Sequence, residues 1–134
     1  MNSSLLWFSY YDGAYGDTIR IATHSGNCIV QLKDKIQDLF DGNLQSFDFC
    51  QMSNAKCLDS IYSLELFRVM KSTSPCITLY REGKNNIFKW VQDLEELETL
   101  LGLIDGLISD DSPGHQYLAY EDDGCIIELS YNES

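Results

Sequence analysis

The 134-residue chain contains few prolines, few histidines and no long apolar run. With two prolines and no low-complexity segment, it has the composition of a folded rather than a disordered protein. No stretch approaches the roughly 20 apolar residues that a membrane-spanning helix needs. The N-terminal segment lacks the basic start of a signal peptide, and Ser9 and Asp12 interrupt its apolar run. We therefore expect a single cytoplasmic domain over residues 1–134, without a membrane partner.

Metal-binding and nucleotide-binding motifs are also missing. Neither His24 nor His115 has a cysteine, histidine or glutamate at ligand spacing, and the HExxH pattern is absent. The glycine-containing segment at residues 13–16 opens no helix and precedes no Lys-Ser/Thr pair. The sequence therefore predicts no metal and no cofactor.

The cysteines form no CxxC pair, and their odd number leaves one over in any pairing. In a reducing cytosol they are most simply small apolar core residues rather than disulfide partners or metal ligands. The five are Cys28, Cys50, Cys57, Cys76 and Cys125.

The acidic run at residues 121–124 and the residues that flank it raise two chemical possibilities, a calcium site and a Cys/His catalytic pair. The run concentrates charge, but a calcium loop needs a regular series of alternating ligands, and that pattern is missing. Asp123-Gly124 between two strand-like segments is instead a strong signal for a hairpin turn. His115 and Cys125 lie on those two segments and could approach each other, which leaves a small Cys/His hydrolase as an alternative. Because Cys125 begins the apolar run CII, a buried, inert thiol is the simpler interpretation.

Lysine and arginine are absent from the last third of the chain. Residues 1–90 contain nine acids and all nine Lys and Arg residues, so this segment is formally neutral. Residues 91–134 contain twelve acids and no Lys or Arg, and account for the whole net charge of −12. This argues against nucleic acid and anionic membrane as partners, because phosphates are bound by Lys and Arg. It favours a basic protein partner, although an acidic surface can also serve solubility alone.

Two segments have the periodicity of amphipathic helices. The first follows Ser25, a possible N-cap, and stops at Asp41-Gly42. The second begins with a capping box in which Asp93 accepts from the third helical residue and Glu96 reaches back. In its interior, Gly102 and Gly106 either permit close backbone approach or weaken the helix. The predicted apolar positions are Ile29, Leu32, Ile36 and Phe40 in the first helix, and Leu94, Leu97, Leu101, Ile104 and Ile108 in the second.

The remaining segments favour strands joined by tight turns. Strand-like runs occupy residues 5–11, 17–22, 62–70, 76–82, 87–91, 115–120 and 125–131. The segment SFDFCQM is compatible with a strand, whereas NAKCLDS has the composition of a loop. No internal repeat and no linker are visible. The sequence predicts an α+β fold with a curved antiparallel sheet and two amphipathic helices packed on it.

The C-terminal third resembles a group of small bacterial proteins. The resemblance covers about a third of the chain, namely the second helix, GHQYL, an acidic turn and a closing strand that ends in SYNE. These proteins are immunity proteins of contact-dependent growth inhibition and polymorphic toxin systems. The matching residues are Trp90, Leu101, Ile104, Asp105, Leu107, Gly114-His115-Gln116-Tyr117-Leu118 and Glu128-Leu129-Ser130-Tyr131.

The resemblance implies a non-enzymatic inhibitor, or antitoxin, that binds a cognate toxin domain and blocks its active site. Many such toxins are nucleases with basic surfaces, which an acidic inhibitor can occupy in place of phosphate. His115, Gln116 and Tyr117 are either contact residues or residues that maintain the fold. A non-inhibitory adaptor or regulatory subunit for a basic partner is the alternative from a different class. The predicted partner-binding residues are Glu95, Glu98, Asp105, Glu121, Asp122 and Asp123.

Overall fold

The computed structural model describes residues 5–13, 16–58, 61–70, 79–81, 86–110, 112–120 and 126–132. They form two mixed β-sheets and two helices, so the α+β class is confirmed. Among these residues, no helix is long and apolar enough to cross a membrane. The elements are β1 (Leu6–Gly13), β2 (Gly16–Thr23), α1 (Gly26–Phe40), β3 (Ser46–Asp48), a 3-10 turn (Phe49–Gln51), β4 (Ala55–Cys57), β5 (Ile61–Arg68), β6 (Leu79–Arg81), β7 (Asn86–Gln92), α2 (Leu94–Asp110), β8 (Gly114–Tyr120) and β9 (Ile126–Tyr131).

The two sheets combine hairpins with parallel contacts. The five-stranded sheet has the order β4-β1-β2-β9-β8, and the four-stranded sheet has the order β3-β5-β7-β6. The hairpins β1–β2, β6–β7 and β8–β9 are antiparallel, as the sequence predicts. However, β2 pairs with β9 in parallel, and β5 pairs with β7 in parallel. The prediction of one antiparallel sheet is therefore wrong in this respect, because local turn signals carry no information on how distant hairpins pair.

The topology contains an internal repeat that the sequence does not show. Each half has a hairpin, a helix and a second antiparallel strand pair, which is β1-β2-α1-β3-β5 in the first half and β6-β7-α2-β8-β9 in the second. The halves exchange their strand pairs, since β1-β2 joins β9-β8 in one sheet and β6-β7 joins β5-β3 in the other. Equivalent backbone bonds close both junctions, from Asn132 N–H to Thr23 O at 2.8 Å and from Val69 N–H to Gln92 O at 3.0 Å.

The repeat extends to the core. Ile19 and Ile21 on β2 correspond to Phe88 and Trp90 on β7, and all four side chains are buried. Four pairs of buried helix positions also correspond, at the same sequence offset in every pair. These pairs are Ile29 and Leu97, Leu32 and Leu100, Ile36 and Ile104, and Leu39 and Leu107. One continuous apolar cluster thus joins both helices to both sheets.

The helix ends agree closely with the sequence. The Asp93 carboxylate accepts from Glu96 N–H at 2.9 Å, and Glu96 accepts from Asp93 N–H at 2.8 Å, so the predicted capping box is confirmed. Ser25 occupies the N-cap of α1 but makes no side-chain cap bond. Instead, its N–H donates to Thr23 Oγ1 at 3.1 Å. Gly42, at φ +85°, ends the first helix in the left-handed conformation that favours glycine.

Several expected boundaries and burial patterns differ from the structure. Residues 54–60 are not all loop, because Ala55–Cys57 form β4 on β1. SFDFCQM is a strand for three residues only and then becomes the 3-10 turn. In α2, Leu94 is 39% exposed while Leu100 and Leu107 are buried. The buried stripe includes Leu100 and Leu107 but not Leu94, which is the first helical residue and lies at the rim of the core.

The two glycines of α2 approach no neighbouring element. A Cβ atom added at Gly102 or Gly106 meets nothing within 4 Å, which favours the weakening interpretation over close backbone approach. Replacing either glycine with alanine is expected to raise the free energy of unfolding by about 0.5–1 kcal/mol, because alanine loses less backbone entropy in a helix. Urea titration of Gly102→Ala and Gly106→Ala measures this. Gly42→Ala is the matched control and is expected to destabilise, since a φ of +85° is strained for any residue with a Cβ atom. Loss of stability in both α2 variants would contradict the prediction.

Candidate protein-binding surface

The acidic residues at the start of α2 have two different roles. Asp93 and Glu96 are bound to backbone N–H groups in the capping box and serve the helix. Glu95 and Glu98 are exposed, and no ion pair joins either to a cation in the part of the chain that the structure describes. Glu95 lies in the first turn, where a negative charge is also favourable toward the helix dipole. The first turns of α2 therefore present two carboxylates to solvent.

Asp105 lies further along the same helix. It is 53% exposed and forms an ion pair with Lys33 of α1. The pair bridges the two helices, so this carboxylate is partly neutralised within the protein. Because both side chains face solvent, the bridge contributes at most a fraction of a kcal/mol to stability. Asp105 is thus available to a partner cation only in competition with Lys33.

The other predicted contacts, Glu121, Asp122 and Asp123, lie outside the described residues. The strands that flank them, β8 and β9, pair as the predicted hairpin with one register shift between Tyr117 and Ala119. On β9, Ile127 and Leu129 are buried in the core. The intervening Glu128 alternates to the opposite face of the sheet and so points away from the helices.

The outer face of the five-stranded sheet carries a charged group that sequence analysis missed. Arg20 Nε lies 3.8 Å from Glu128 Oε1 and donates to Ser130 Oγ at 3.2 Å. His115 Nε2 is 4.0 Å from Glu128 Oε2, and its ring contacts Tyr117 edge to face. The side chains that surround Glu128 thus all lie on the outer face of the five-stranded sheet. Glu128 belongs to a structural charge cluster rather than to the helix acids.

Aromatic side chains extend the same face. Tyr11 and Tyr117 are about half exposed, and Trp7 packs edge to face against His24 with ring centroids 6.0 Å apart. The alternation of Trp7 and Tyr11 along β1 was the available signal, since alternate residues of a strand share one face. The sequence does not show which face of β1 is buried, so it could not predict that this aromatic face is the outer one.

Most of the residues that carry the family resemblance lie in the core. Buried members include Trp90, Ile104, Leu107, Leu118 and Leu129. Asp105, His115 and Tyr117 are exposed, and Gln116 is half-buried. A motif dominated by core positions is better suited to maintaining a fold than to contacting one partner.

The alternative catalytic pair, His115 and Cys125, lies only in part within the described residues. His115 pairs across the sheet with Ser130, and among the described residues its side chain lies beside Glu128 and Tyr117. Cys125 lies outside those residues. No group of three His, Cys, Asp or Glu side chains that could hold a metal is found in the described part of the chain.

Two surface grooves also lack a catalytic constellation. The larger, of about 490 Å³, lies between the start of α1 and the end of α2, and Tyr131 is the ionisable side chain among the described residues that line it. The smaller, of about 260 Å³, lies beside the 3-10 turn, and of the described residues that line it Lys35 alone is ionisable. Neither pairs a nucleophile with a base, as covalent catalysis requires.

Fold and surface together define an α+β protein with two exchanged halves, an acidic helix start and an aromatic outer sheet face. In comparisons with known proteins, no family model, no curated protein and no solved structure matches the chain.

Proposed function

We propose that the chain is an immunity protein, a non-enzymatic inhibitor that binds a basic bacterial toxin domain and blocks its active site. The observation that supports this most is the pair of exposed carboxylates of Glu95 and Glu98, which no cation of the described residues neutralises. They belong to a segment, residues 91–134, with twelve acids and no Lys or Arg. The resemblance of the C-terminal third to immunity proteins supports the same function.

Electrostatics favours a partner with a phosphate-binding groove. A nuclease holds Lys and Arg side chains where its substrate backbone lies, and carboxylates can occupy those positions in place of phosphate. The net charge of −12 attracts such a surface at long range and speeds encounter. Glu95 and Glu98 then make the short-range contacts, and Leu94, exposed in the same turn, supplies an apolar anchor that excludes water.

The predicted contact residues contribute unequally to this interface. Glu95 and Glu98 contribute most, because each offers a full negative charge. Asp105 contributes less, since a partner cation has to replace Lys33. Glu121, Asp122 and Asp123 extend the negative surface in the proposal. Glu128 takes no part, because Arg20 neutralises it on the outer sheet face.

Growth rescue tests the proposal. The toxin domain encoded beside this chain is expected to arrest growth when expressed alone, and co-expression of the chain is expected to restore it. Purified protein is then added to the toxin's enzymatic assay, where equimolar protein is expected to abolish activity. If the two bind without loss of activity, the protein is an adaptor rather than an inhibitor. Continued growth arrest despite soluble co-expression contradicts the immunity function.

A further inference from the structure

Two of the cysteines lie against each other beside the passage from the four-stranded to the five-stranded sheet. Cys50 is in the 3-10 turn that follows β3, and Cys57 ends β4. Their sulfur atoms are 2.6 Å apart, about half an ångström more than the ~2.05 Å of a disulfide bond. Cys28 differs from both, because it is fully buried in the core as expected of an inert thiol.

The backbone around the pair holds the two sulfurs in place. The Asp48 carboxylate accepts from Cys50 N–H at 3.0 Å and from Leu64 N–H at 3.2 Å, which ties the turn to β5. It also accepts from Ser63 Oγ at 2.7 Å. Cys57 is paired in register with Phe8 on β1. Each cysteine is thus fixed by a different sheet. The short segment between them carries the chain from the four-stranded sheet to β4 of the five-stranded sheet.

Both thiols are half-buried, and they differ in acidity. Hydrogen bonding to Cys50 lowers the pKa of the Cys57 thiol. The same hydrogen bond, together with burial and the Asp48 charge, raises the pKa of Cys50. Of the two thiols, Cys57 therefore has the greater thiolate character. Thiolates rather than thiols attack disulfides, which assigns the first step to Cys57.

We propose that Cys50 and Cys57 form a thiol–disulfide exchange site that a low-molecular-weight disulfide converts to an intramolecular disulfide. The Cys57 thiolate attacks one sulfur of RSSR, forms Cys57–S–S–R and releases RS⁻, which is protonated to RSH. Cys50 then loses its proton to solvent, attacks the Cys57 sulfur and expels a second RS⁻, which is also protonated. Two protein thiols are oxidised to one disulfide, and one external disulfide is reduced to two thiols.

The wild-type chain is incubated with oxidised glutathione, free thiols are trapped with an alkylating reagent, and the peptides are mapped by mass spectrometry. The expected product is a Cys50–Cys57 crosslink, with Cys28 unmodified as the internal control. The thermal midpoint is expected to rise by about 5–10 °C, since even a short closed loop restricts the unfolded chain. An oxidised form that melts no higher than the reduced form, or alkylation of both thiols after oxidation, overturns the proposal.

Two near-isosteric variants test the order of attack. Cys50→Ser is expected to accumulate a glutathione adduct on Cys57, because the resolving thiol is missing. Cys57→Ser is expected to form at least tenfold less adduct on Cys50, because partial burial and the Asp48 charge still raise the pKa of that thiol. The opposite distribution would overturn the assignment of Cys57 as the attacking group. None of these measurements requires the toxin, so their outcome is independent of the inhibitor function.

Discussion

Replacing Glu95 and Glu98 together with lysine is expected to slow association with the cognate toxin domain about tenfold or more at low ionic strength. The change turns two exposed carboxylates into repulsive charges at the start of α2, where no described cation neutralises them. Steering by charge acts mainly on the association rate. Stopped-flow or surface-binding kinetics measures that rate constant. In about 1 M salt, where the screening length is only ~3 Å, the difference is expected to shrink to within about twofold.

A matched variant separates local charge from net charge. Asp12→Lys with Asp34→Lys changes the total by the same amount at two exposed positions outside α2. It is expected to slow association no more than about threefold, because the charges lie outside the proposed contact. Equal slowing in both variants would mean that only net charge matters and would contradict the assignment of the α2 face. Circular dichroism controls for folding, since lysine in the first turn costs about 0.3–1 kcal/mol against the helix dipole.

Ile36→Ala and Ile104→Ala are each expected to lower the free energy of unfolding by about 3–4 kcal/mol. The two isoleucines occupy equivalent positions in α1 and α2, and both are fully buried. Each truncation removes apolar surface that folding buries away from water. It also leaves a cavity in the cluster that joins the helices and the sheets. Equilibrium unfolding in urea measures both losses.

The equivalence of the halves makes this prediction a comparison. If the repeat governs packing as well as topology, the two losses are expected to agree within about 1 kcal/mol. Val30→Ala on the exposed side of α1 is the control and is expected to change stability by no more than about 0.5 kcal/mol. A loss at one isoleucine less than half that at the other would show that the halves are not energetically equivalent.

Local features of this fold were predictable from the sequence. The helices, the capping box and the three hairpins follow from periodicity and turn chemistry that act over a few residues. Strand β4 was not predictable, because Ala-Lys-Cys has no β pattern and is a strand only through its backbone bonds to β1. The shift of the α2 stripe from Leu94 to Leu100 and Leu107 likewise reflects tertiary packing at the helix start.

The internal repeat was hidden because residue identity is kept only at a few spaced helix positions, such as Ile36 and Ile104, while the core strands keep burial alone. Ile21 and Trp90 occupy matching positions with very different volumes, so a sequence comparison of the halves finds no match. Chain periodicity also contains no information on parallel pairing between distant strands. The repeat therefore appears only when the strand orders of the two sheets are compared.

The candidate surface was predictable in part. Glu95 and Glu98 are exposed as the helical pattern suggests, but the pairing of Asp105 with Lys33 depends on how two helices pack. The outer-face cluster of Arg20, Glu128 and His115 draws on three strands that lie far apart in the sequence. The contact between Cys50 and Cys57 required knowledge of a 3-10 turn and of β4, neither of which the composition indicates.

The exchange of strand pairs between halves has a consequence for synthesis. Strand β2 has one neighbour early, β1, but its other neighbour, β9, is translated more than a hundred residues later. Until residues 126–131 leave the ribosome, the backbone N–H and C=O groups along that side of β2 remain an open edge, which invites pairing with other chains. Neither half can complete a sheet alone. Truncated products are therefore expected to associate or be degraded rather than persist as folded fragments.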